Sequence, residues 1–66
     1  MTGAQLKTLR KEVLELSQEE FAERLKVARS TIIRAEQRGS RRISHVLELI
    51  LERAVLKGDL RIPGDK

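Results

Sequence analysis

Between Leu16 and Gly39 two short amphipathic segments flank a break of only a few residues, and the rest of this 66-residue chain must be arranged around them. Ser17 and Glu20 have the spacing of a capping box, in which the serine side chain accepts the third backbone N–H and the glutamate reaches back to the serine N–H. A helix opening there carries Phe21, Ala22 and Leu25 on one apolar stripe. Lys26 and Val27 form the turn. The next helix runs from about Arg29 to Gln37 with Ile32 and Ala35 facing inward, and Gly39 is free to take the left-handed conformation that ends it. Ala22 marks the crossing of the two helices, where a larger side chain would push them apart. Val27 plugs the turn from below, Ile32 closes the small core between the helices, and Phe21 and Leu25 point back toward the preceding segment. Two helices joined this tightly, the second rich in arginine, have the pattern of a helix-turn-helix.

The flanking sequence supplies support. Thr2 and Gln5 form a second capping box, followed at helical spacing by Leu6, Leu9 and Val13, so the first helix is read over residues 3–14. Gly39 to Arg42 is a basic loop. Ser44 caps a fourth helix that runs to Lys57 and is stopped by Gly58. The tail, 59–66, carries Leu60, Ile62 and Pro63. No internal repeat or linker divides the chain, which makes a single domain, 1–66.

Composition narrows the function. A chain this short buries only about 60% of its unfolded surface. It has no cysteine to reinforce the fold, so a partner subunit is the simplest further source of buried area. The net charge of +4 points to a polyanion. Phe21 is the only aromatic residue, too little for the stacking platforms of single-strand binders, which favours duplex DNA. No apolar run approaches the ~20 residues of a membrane span and no signal peptide is recognised, so a cytoplasmic protein is expected. His45 is the only histidine and Asp59 and Asp65 lie in the tail, leaving no catalytic triad and no histidine pair for a metal. Glu19, Glu20 and Glu23 read most simply as a solvated helix face. Neither an enzyme nor a cofactor is expected.

The opening Leu16-Ser17-Gln18-Glu19-Glu20-Phe21-Ala22, the run Arg29-Ser30-Thr31-Ile32 and Glu36 resemble the Cro/phage-repressor type of helix-turn-helix, the XRE family. The resemblance covers about residues 6–39. It implies an all-α, compact lambda-repressor-like domain of four helices, with room for a fifth. The helix-turn-helix would span about 17–38, and helix 4 with the tail, 44–66, would serve dimerisation. The chain departs from the family pattern at several places. Glu15 and Lys26 stand where the family has glycine, and Ala28 replaces the usual Ser/Thr cap. The links from Arg10 to Ser17 and from Glu36 to Gly39 are each one residue longer than the family pattern. Glu36 in the family pairs with a basic residue of helix 1, here Lys11 by alignment, with Arg10 as the alternative.

If the fold is of this type, the first turns of helix 3 face the major groove. Arg29, Ser30, Thr31, Ile33 and Arg34 are then the base-reading candidates. Arginine makes two hydrogen bonds to guanine, and Thr31 and Ile33, the latter exposed by phase, can meet thymine methyls. Ser17, Gln18, Arg38, Ser40, Arg41 and Arg42 are candidates for phosphate contacts. Helix 4 is apolar around too much of its girth for one small subunit to cover, which assigns Val46, Leu49, Leu56, Leu60 and Ile62 to a homodimer interface. A monomer wrapped by its own tail is the other arrangement. The function expected is a dimeric, sequence-specific repressor on an inverted-repeat operator, autoregulating its own operon. The alternative is the antitoxin of a toxin–antitoxin pair, with a toxin as further partner. An interaction module that has lost DNA binding is disfavoured by the exposed arginines.

Overall fold

Residues 1–60 are described by the computed structural model. Four α-helices follow in order, α1 (Gly3–Thr8), α2 (Gln18–Leu25), α3 (Arg29–Gln37) and α4 (His45–Lys57), and a π-helical turn, Leu9–Val13, continues α1. Among the described residues there is no strand, only one antiparallel bridge between Thr2 and Arg42. The chain is all-α.

Both capping boxes form. Thr2 Oγ1 accepts the Gln5 N–H at 3.1 Å and Gln5 Oε1 accepts the Thr2 N–H at 2.9 Å. Ser17 Oγ accepts the Glu20 N–H at 3.1 Å and Glu20 Oε1 accepts the Ser17 N–H at 3.0 Å. The Ser17 N–H, with the Ser17 hydroxyl and Arg24 behind it, holds the Glu20 carboxyl below the usual glutamate range. Ser44 caps α4 through the Leu47 N–H. Gly39 and Gly58 both take positive φ, and the Asp59 N–H reaches back to the Ala54 carbonyl past Gly58. This is the glycine-terminated ending expected for α4.

The first helix differs from the expected continuous 3–14. After Thr8 the backbone widens, and the Leu14 N–H bonds to the Leu9 carbonyl, five residues back, at 2.9 Å. A π turn accommodates one extra residue, and the link from Arg10 to Ser17 has one to spare. The structure turns Arg10 inward, where it is 7% exposed, and leaves Lys11 exposed.

Among the described residues, two other than glycine take the left-handed conformation: Glu15 at φ 53° and Lys26 at φ 59°. Left-handed backbone costs an L-residue about 1–2 kcal/mol. At Lys26 it lets the Val27 N–H return to the Ala22 carbonyl at 3.0 Å, closing α2 and starting the turn. Ala28 then precedes α3 with no side-chain cap.

The core joins all four helices. Leu6, Phe21 and Ile32 are completely buried, with Ala22, Leu25, Ala35, Ile43, Leu47, Leu51, Ala54 and Leu60 around them and Val27 packed partly against them. Leu60, expected at a dimer interface, is instead 3% exposed in the core of its own chain. The left-handed turn at Gly58 sends the chain back, and the Leu60 N–H bonds to the Ala54 carbonyl. Ile62, the other tail residue assigned to that interface, lies outside the described residues.

The start of the chain lies against the loop after α3. The Gly3 N–H donates to Arg41 O at 3.0 Å, the Ala4 N–H to Gly39 O at 2.8 Å and the Ile43 N–H to Met1 O at 3.0 Å. The Met1 ammonium donates to Glu48 at 3.0 Å and holds that carboxyl below its ordinary range. Gly3 allows this approach: a methyl there would fall on the Ala35 carbonyl oxygen and lie 2.9 Å from the Gly39 nitrogen.

Two substitutions test this packing by their effect on thermal and denaturant melts. Ala22→Leu inserts volume at a buried crossing and should cost about 1–3 kcal/mol. Gly3→Ala would ordinarily favour a helix by up to about 1 kcal/mol. Here it should destabilise by about 1–3 kcal/mol, because backbone is what the methyl meets. Wild-type or higher melting of Gly3→Ala would show that α1 and the end of α3 are not in close contact.

Candidate nucleic-acid interface

One buried ion pair sets the position of α3. Arg10 Nε donates to Glu36 Oε2 at 2.5 Å and Nη2 to Oε1 at 3.1 Å, with both side chains under a tenth exposed. The Arg10 Nη1 donates to the Leu16 carbonyl at 2.9 Å, ahead of α2, and Gln18 Nε2 donates to Glu36 Oε1 at 3.2 Å. The partner of Glu36 is thus Arg10 and not Lys11, because the π turn rotates Arg10 inward. The paired charges also have supporting donors and acceptors: among the described residues no buried side-chain N or O lacks a hydrogen-bond partner.

With its inner side committed to Ile32, Ala35 and Glu36, α3 leaves Arg29, Ser30, Thr31 and Arg34 exposed. Ile33 was expected to be exposed but is half-buried. It lies three residues before Glu36, on the flank that turns toward the ion pair. Two shallow clefts share Arg34 and Arg38. One, of about 410 Å³, is lined by Arg34, Gln37, Arg38 and Arg41. The other, of about 190 Å³, adds Thr31 and Ser44 over Ala35 and Leu47. Thr31, Arg34, Arg38 and Arg41 are therefore brought together from α3 and the loop that follows it.

Ser40, Arg41 and Arg42 are exposed on the loop, and Arg38 Nη1 donates to the Arg42 carbonyl at 3.2 Å. None of Arg29, Arg34, Arg38, Arg41 and Arg42 has a carboxylate within ion-pair distance among the described residues. Five arginines without such partners on one helix and its following loop form a surface suited to anionic oxygens.

The start of α2 contributes less than the sequence suggested. Ser17 Oγ is used by its cap, and the Gln18 side chain is half-buried and tied to Glu36. Both residues brace the scaffold, with Glu19 and Glu20 adding negative charge beside them. Sequence reasoning missed two residues. Gln37 could have been found from its i+3 spacing after Arg34. Gly3 had no local signal, since its importance comes from a contact with residues more than thirty positions away. Val46, Leu49 and Leu56 are exposed on α4, away from the core.

The ion pair can be tested by stability measurements. Removing one partner from a buried pair leaves an uncompensated charge, so Arg10→Ala or Glu36→Ala should each cost about 3–5 kcal/mol. The double variant Arg10→Met, Glu36→Met should melt close to wild type. Equal losses in single and double variants would show that shape, and not charge pairing, holds α3. No protein-family model matches the chain, and no curated protein or solved structure matches it.

Proposed function

We propose that the chain is a sequence-specific duplex-DNA-binding regulator of the helix-turn-helix type, with α2 and α3 as the motif and α3 as the reading helix. The observation that carries this is the outer face of α3. Arg29, Ser30, Thr31 and Arg34 are exposed, and they adjoin Arg38, Ser40, Arg41 and Arg42 on a loop fixed by backbone hydrogen bonds. A rigid helix bearing hydrogen-bonding side chains fits the major groove, and the flanking arginines fit the phosphates beside it. The XRE resemblance gains support from the backbone, because Glu15 and Lys26 stand where the family has glycine and both take positive φ.

In this reading Arg29 and Arg34 recognise bases, with Thr31 and the exposed part of Ile33 available to thymine methyls. Arg38, Arg41 and Arg42 hold the backbone. Ser17 and Gln18 serve this reading as scaffold, through the cap of α2 and the bond to Glu36. Two copies related by a two-fold axis would place their α3 helices about 34 Å apart, one turn of DNA, on an inverted repeat. In this reading regulation follows occupancy: the bound dimer covers a promoter, including that of its own operon.

Selection of bound sequences from random duplex DNA should return an inverted repeat, and affinity should fall steeply with salt through counterion release. Arg29→Ala and Arg34→Ala should each lose about 1–3 kcal/mol and relax preference at one base position. Arg41→Ala should weaken all duplexes alike and reduce the salt slope by about one. Equal affinity for selected and random duplexes, or preference for single strands, would falsify this reading.

A further inference from the structure

The exposed apolar residues of α4 form one ridge. Val46 is 66% exposed, Leu49 43% and Leu56 80%, and Arg53 fills the remaining position of the series 46, 49, 53, 56. Steps of three, four and three residues are the spacing of a helix seam that packs against another helix. The opposite face, through Leu47, Leu51 and Ala54, is already in the core, so α4 is a preformed helix with an unmatched seam. The chain does not cover it as far as Leu60, because Leu60 turns into its own core.

The two flanks of the ridge carry opposite charge. Glu52 lies on one side, with His45, and Lys57 on the other, with Ile50; Glu52 and Lys57 are both exposed and neither is in an ion pair among the described residues. In a parallel helix pair, the residue just before one seam position faces the residue just after the next seam position of the other helix. Glu52 then meets Lys57 of the second copy, and the contact occurs twice. An antiparallel pair sets like flank against like flank, bringing Glu52 toward Glu52 and Lys57 toward Lys57. The Arg53 layer also finds Glu52 of the second copy beside it in the parallel pair. We infer that the ridge is a dimer seam for a second copy of this chain, with the two α4 helices parallel and the Glu52–Lys57 pairs setting their direction.

This arrangement rests on the dimeric part of the proposed function and adds its geometry. The basic loop 38–42 immediately precedes α4. Parallel α4 helices therefore keep both loops at the same end of the pair, whereas antiparallel helices carry them to opposite ends. The seam is only three turns long, so the dimer is one that dissociates on dilution.

The full chain is tested by sedimentation across a concentration series, with helicity and melting recorded for each variant. Glu52→Lys and Lys57→Glu should each weaken dimerisation by about tenfold. Their combination should restore it while leaving the folded monomer intact. The chain has no cysteine, so introduced ones report proximity cleanly. Leu56→Cys should form a disulfide with its own copy under mild oxidation, because both copies of this position share one layer of a parallel seam. A monomer at all concentrations would overturn the dimer itself along with this geometry. A dimer whose Leu56→Cys form cross-links to a Val46→Cys form, but not to itself, would be antiparallel and would overturn the geometry alone. A dimer indifferent to Glu52, Lys57 and Leu56 would use another surface and would overturn the seam.

Discussion

The pairing of Arg10 with Glu36 is the constraint on which the rest of this structure depends. It crosses from the π turn to α3, and its other hydrogen bonds reach Leu16 and Gln18 at the entry to α2. Three segments are thus located by one guanidinium and one carboxylate. The aliphatic core supplies burial but little direction, because Leu, Ile and Ala contacts tolerate small rotations of one helix on another. A bidentate arginine–carboxylate pair is directional. It fixes which way α3 is turned about its own axis, and therefore which side chains are left outside.

That orientation is maintained despite weak local signals. α3 begins without a side-chain cap, and the links on either side of α2 each contain a left-handed residue that is not glycine. Each would cost an isolated segment about 1 kcal/mol or more. Tertiary packing outweighs these costs because Ile32 and Ala35 bury against α1 and α2 at the centre of the chain, where Phe21 and Leu6 are fully enclosed. The irregular positions cluster around α2 and α3, so the relation between these two helices is specified by packing and ion pairing more than by propensity.

Much of the fold was legible in the residues. The bounds of α2, α3 and α4 follow from Ser17 and Ser44 as caps, from apolar spacing and from Gly39 and Gly58 as stops, all of which are local signals. The π turn was not legible, since no residue between Leu9 and Val13 distinguishes it from a continuing helix. Its effect, exchanging Arg10 for Lys11 at the ion pair, was therefore ambiguous. Leu60 was misplaced because an apolar residue after a helix fits an interface and a core equally well until the turn is seen. The candidate surface was readable where it depends on helical phase, as at Arg29, Thr31 and Arg34. It was less so at Ile33 and Gln18, whose exposure is decided by the Glu36 neighbourhood.

The bridge between Thr2 and Arg42 has a consequence for entropy. A free loop loses about 1–2 kcal/mol of backbone conformational freedom per residue when a ligand orders it. Here Gly39 and Arg41 are already bonded through their carbonyls to the first residues of the chain, and Arg38 grips Arg42 from the other side. The loop's disorder is therefore removed during folding, largely by hydrogen bonds from Gly3 and Ala4. Any anion arriving at Arg41 and Arg42 meets a backbone that needs little further ordering, and more of the contact energy remains as affinity.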